Sequence, residues 1–138
     1  WLSDWSSDVC SSDLQALLAI TSSEGPDAAM ERLYQHSRRL GDRLHRQLRL
    51  SSDRDVIVAS QLLYGMLGID MRHSGQGKIT ISRCFFSTIY TPDVCRVISA
   101  LDSGLACGLS GGKKLVFSQR ITDGRSCCEV MLQEVNQP

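Results

Sequence analysis

The sequence predicts an α+β fold in which N-terminal helices pack on a small antiparallel β-sheet, in the order α-α-β-β-α-β-β. Three observations predict it. Apolar residues recur at helical spacing through the first half of the chain. The spacing then switches to a period of two in two pairs of short segments, each pair joined by a glycine-bearing turn. Between those pairs stands Thr91-Pro92-Asp93, the strongest helix start in the chain. At 138 residues the chain is the size of one domain with one core.

The fold is expected to begin at Gln15. Residues Asp4 to Leu14 contain a doubled Ser-Ser-Asp and no helical or strand period, and they resemble the conceptual translation of a sequencing-library adapter. Residues 1–14 are therefore read as a non-native or disordered tail, with the true N-terminus missing, and residues 15–138 as a single α+β ligand-binding or hydrolase-like domain. Gln15 to Ile20 reads as the end of a helix.

Gly25-Pro26-Asp27 opens the first full helix, because proline loses nothing at the first helical position and a carboxylate suits the positive end of the dipole. Met30, Leu33, Leu40, Leu44 and Leu48 predict one buried stripe on it. Arg38, Arg39, Arg43, Arg46 and Arg49 predict a solvated basic face, with an acid-binding or partner-binding patch as the alternative. His36 and His45 are expected to be exposed and not to be ligands. Ser51-Ser52-Asp53 caps a second helix with few polar positions, which predicts the central, well-buried one.

Gly68 to Met71 and Lys78 to Ser82 predict two strands across a glycine-rich loop. Simple alternation places Cys84 on the face of Thr80 and Ser82, opposite Ile79 and Ile81, unless a bulge intervenes near Phe85-Phe86. In the helix after Thr91, Cys95, Ser99 and Asp102 fall at i, i+4 and i+7 and form a polar stripe apart from the apolar one. Ser110-Gly111-Gly112 suits its C-terminal cap. Leu115 to Ile121 alternates, with Arg120 on the face of Val116 and Ser118. Asp123-Gly124 marks a turn, and Cys127 to Leu132 returns with Cys128, Val130 and Leu132 on one face. Asn136-Gln137-Pro138 is expected to fray.

Fifteen basic and fifteen acidic residues balance, so no global field draws the protein to nucleic acid or an anionic membrane. No apolar run is long enough to span a bilayer. Six cysteines match neither a small disulfide scaffold nor a paired-Cys zinc pattern, and reduced thiols in the cytoplasm are expected.

Five of the six cysteines lie between Cys84 and Cys128, which makes this stretch the expected site, between the Thr91 helix and the final hairpin. Cys95 sits in a helix's first turn, where the dipole favours thiolate, and is the best nucleophile candidate. Asp102 would assist it from the same face. The rival reading is a metal site with Cys84, Cys95 and Cys128 as ligands to a single Zn or Fe ion. The third is that the cysteines are small buried hydrophobes, as Cys107 is taken to be. Arg120 could anchor a substrate carboxylate or make a surface ion pair with Asp123 or Glu129.

The element order resembles the small domain shared by the 4-vinyl reductase family and the L-2-amino-thiazoline-4-carboxylic acid hydrolase family. Cys84-Phe85-Phe86 is similar to their Cys-Pro-Phe segment, and Gly124-Arg125-Ser126-Cys127-Cys128 to their Gly-Asp-x-Cys ending. Phe85 stands in place of the family's Pro and Arg125 in place of its usual Asp. Pro92 to Cys95 and Leu101 to Leu105 look more like the hydrolase group. The resemblance implies cleavage of a C–N bond in a small cyclic or amide-like carboxylated substrate, with Cys95 or Cys84 as nucleophile or metal ligand, Asp102 in proton transfer, and Arg120, Phe86 and Ser99 around the substrate. The reductase-type resemblance implies instead a non-enzymatic small-molecule or metal-binding sensor or scaffold domain, as a possible homodimer.

Overall fold

The structure is a computed structural model and describes residues 25–135. The expectations for residues 1–14, for the helix end at Gln15 to Ile20 and for the last three residues lie outside the described residues. Three helices and four strands follow in the expected order: α1 (Pro26–Leu48), α2 (Asp53–Met66), β1 (Ile69–His73), β2 (Lys78–Cys84), α3 (Pro92–Ser110), β3 (Lys114–Gln119) and β4 (Cys128–Gln133). Short 3-10 turns at Phe85–Thr88 and Ile121–Asp123 close β2 and β3.

The helix ends follow from local chemistry. Ser52 Oγ accepts from the Asp55 amide while the Asp55 carboxylate accepts from the Ser52 amide, a reciprocal capping box at the start of α2. These bonds and those from Ser51 hold Asp55 below the usual carboxylate range. Thr91 Oγ1 accepts from the Val94 amide at the start of α3, with Pro92 at the first helical position. At the other end Gly111 turns left-handed, at φ 75°, and the Gly112 amide reaches back to Cys107 O across 2.8 Å.

α3 is the central helix, with Val97, Ser99, Ala100, Gly104, Cys107, Gly108 and Leu109 buried. This corrects the expectation for α2, which buries Val56 and Tyr64 but leaves Val58, Leu62 and Met66 exposed. The expected leucine stripe of α1 is corrected too. Leu40 and Leu48 are exposed, and the buried positions are Ala29, Ser37 and Gly41. The reason is a close backbone approach. A Cβ at Gly41 would lie 2.9 Å from Gly108 Cα, and one at Gly104 would collide with Ser37 Oγ and Tyr34 O. Only small residues fit on that seam, so the larger leucines are pushed to its sides. His45, expected to be exposed, is instead part-buried beside α3, with its Nδ1 2.8 Å from Leu109 O.

The sheet is antiparallel throughout, in the order β1-β2-β4-β3. Ile79, Cys128 and Val130 form its buried centre, with Met71, Ile81, Leu115 and Phe117 packed around them. Two irregularities interrupt it. Asp70 pairs with Arg83 and Met71 with Ile81, which leaves Ser82 as an extra residue in β2. Phe117 pairs with Val130 and Gln119 with Glu129, which leaves Ser118 as an extra residue in β3. Each extra residue reverses the alternation beyond it.

Candidate functional site

Those two bulges aim side chains into one cavity. It has a volume of about 70 Å³ and lies between the sheet on one side and α2 and α3 on the other. Past Ser82, Cys84 joins Ile79 and Ile81 in its lining, on the face opposite to the one simple alternation gives. Past Ser118, Arg120 turns inward, away from the face of Val116 and Ser118. Both placements correct the sequence-based parity, and the bulges are the physical reason.

The α3 stripe supplies the opposite wall, because Cys95, Ser99 and Asp102 all line the cavity. Cys128 enters from β4, where its Sγ accepts from the Ile121 amide at 3.3 Å. The structure therefore brings Cys84, Cys95, Cys128, Ser99, Asp102 and Arg120 together. Phe86 lies outside this lining, stacked on Tyr90 with ring centroids 5.5 Å apart. Cys127 sits behind β4, with Gln119 Nε2 3.2 Å from its Sγ. Cys107 is buried on the far side of α3, where it bonds the Tyr34 hydroxyl at the edge of an open groove of about 420 Å³.

Arg120 is held at two places. Its Nη1 donates to Ser99 Oγ, which in turn donates to Cys95 O across 2.6 Å, and its guanidinium carbon sits 3.9 Å above the Phe117 ring. The surface ion pairs weighed for it go elsewhere, since Asp123 pairs with Arg96 and Glu129 with Lys78. Asp102 is half-buried as a residue, but its carboxyl points inward and loses its water, which pushes its pKa up to about 6. The Tyr64 hydroxyl, donating to Oδ1 at 2.8 Å, and the charge of Arg120 oppose that rise without cancelling it. Among the described residues no direct ion pair joins Asp102 to Arg120.

Burial pushes the Cys84 and Cys128 thiols up, so both are protonated at neutral pH and are poor nucleophiles. Cys84, Cys95 and Cys128 share the cavity. Among the described residues, however, no group of three or more His, Cys, Asp or Glu side chains is arranged to hold a metal ion. Tyr64, the partner of Asp102, is the site residue that the sequence reading missed. Its signal was a tyrosine within the apolar run Leu62 to Leu67, since a buried tyrosine needs a partner.

No protein-family description matches the chain. No curated protein matches it either. Among solved structures it is similar to a trafficking protein particle complex subunit 3 from Naegleria fowleri covalently bound to palmitic acid. The two share 14% identity and a TM-score of 0.52, over 98% of this chain and 99% of that one. These findings correct the expected C–N hydrolase and the 4-vinyl reductase-like reading, because no family description supports either and this structural neighbour is a subunit of a trafficking complex. At that identity, what the chain shares with this neighbour is its α+β fold.

Proposed function

We propose that this chain is a non-catalytic binding module whose cavity holds a small, mostly apolar ligand carrying one anionic oxygen group. The observation that carries the reading is the placement of Arg120. It lines a mostly apolar cavity that also holds Asp102 and Tyr64, fixed by Ser99 and Phe117, and among the described residues one bond, to Ser99, is drawn from the five N–H groups a guanidinium offers. Ile79, Ile81, Leu115, Phe117 and Val130 would take the apolar part.

The protonated state of Cys84 and Cys128 supports binding over covalent catalysis. The neighbour, described as a complex subunit that carries palmitic acid, supports an acyl-type ligand in this fold. Size sets a limit. A cavity of about 70 Å³ has room for roughly two water-sized units at about 30 Å³ each, so a very short carboxylic acid such as acetate or propionate suits it and a long saturated chain does not.

The test is thermal denaturation of the protein with straight-chain carboxylates from acetate to octanoate. Stabilisation that peaks at acetate to propionate and disappears in Arg120→Gln is expected. Equal melting temperatures across the series for the wild type would overturn the reading.

A further inference from the structure

From Val58 onward the outer face of α2 carries an apolar stripe, with Arg54 one turn before it and Gln61 at its margin. Val58, Leu62 and Met66 are 47%, 67% and 79% exposed and lie one helical turn apart. Leu67 continues the stripe. Gly68 then brings Phe85 alongside, since a Cβ at Gly68 would lie 3.2 Å from Phe85 Cβ, and Phe85 and Ile89 are exposed as well. No charged residue occurs between Val56 and Ile69. A helical stretch with large apolar residues on both its inner and outer faces belongs in an interior.

We infer that this face is covered by a second copy of the chain, with α2 packed antiparallel on its counterpart across a two-fold axis near Leu62. Three features select a second copy. The six exposed side chains present on the order of 600 Å² of apolar surface, more than scattered surface residues expose and close to the ~800 Å² per partner of a stable interface. Val58 and Met66 stand one turn on either side of Leu62, so the pairing that places Val58 against its counterpart's Met66 and Leu62 against Leu62 is self-complementary, as an isologous contact requires. Gly65 lies on the same face, and a Cβ there would meet nothing within 4 Å, so a second helix can approach closely at the centre. The inference is independent of the ligand proposed for the cavity.

The experiment is sedimentation equilibrium of the full chain at micromolar to 100 micromolar concentration, with far-UV circular dichroism as the control for folding. The wild type is expected to sediment at twice its monomer mass. Leu62→Glu and Met66→Lys should each weaken self-association roughly 30-fold or more while leaving the spectrum unchanged. Leu48→Glu, at an exposed leucine of α1, should stay dimeric. A monomeric wild type at the highest concentration overturns the inference, and so does a dimer that survives both α2 substitutions in folded protein.

Discussion

The Tyr64 hydroxyl donates to Asp102 Oδ1 across 2.8 Å and so joins α2 to α3 inside the wall of the cavity. The bond couples the placement of a helix to the charge of the site. Burial still dominates and holds Asp102 up at about 6, against an ordinary value of 3.8.

Because its folded pKa lies above its unfolded one, Asp102 binds its proton more tightly in the native chain. Its contribution favours the fold below about pH 4, falls as pH rises to about 6, and is flat beyond. The difference across that window is about 3 kcal/mol. Urea denaturation of wild type and Asp102→Asn across pH 4 to 8 checks this. Relative to the wild type, the variant should gain stability between pH 4 and 6. A constant difference would show that the carboxyl is not desolvated.

Tyr64→Phe removes the donor that lowers the Asp102 pKa. It should cost about 1–2 kcal/mol at pH 7.5, where the carboxylate is ionised, and less at pH 5, where it is protonated. The same denaturation series, run on this variant, gives the comparison.

Ionised Asp102 repels an anionic ligand placed at Arg120, so affinity should rise as Asp102 is protonated. Tyr64, Cys84 and Cys128, pushed up by burial, stay neutral across this range. Propionate is expected to bind roughly 10- to 20-fold more tightly at pH 5.5 than at pH 7.5 in a chemical-shift titration. Asp102→Asn should flatten that dependence.

The seam between α1 and α3 yields a packing prediction. A methyl group at Gly104 would meet Ser37 Oγ and the Tyr34 carbonyl with no room to move, so Gly104→Ala should cost about 3 kcal/mol. At Gly65, where a Cβ meets nothing within 4 Å, alanine should be neutral or slightly stabilising to the monomer. Equal effects at the two glycines, measured by urea denaturation, would contradict this close approach.

Much of this architecture is legible in the residues. Thr91-Pro92 starts α3 as expected, and the i, i+4, i+7 spacing of Cys95, Ser99 and Asp102 places them on one face, which the structure turns toward the cavity. Cys84 and Arg120 are legible as candidates but their facing is not, because each depends on a bulge at a serine, and Ser82 and Ser118 carry no signal that separates a bulged residue from a regular one. The burial of α1 and α2 was misread for a tertiary reason. Leucine spacing reports which face is apolar, but the glycines of α3 decide which face fits. The apolar run of α2 was read as buried within the chain, whereas half of it faces outward.

The measurement that tests the central claim most directly is isothermal titration of acetate and propionate into wild type and Arg120→Gln at pH 6. The wild type is expected to bind one equivalent with Kd on the order of 0.1–1 mM, and Arg120→Gln to lose that binding while keeping its fold. If the wild type takes up neither acid, or if the variant binds both as the wild type does, Arg120 is not a ligand anchor and the cavity is part of the packed interior.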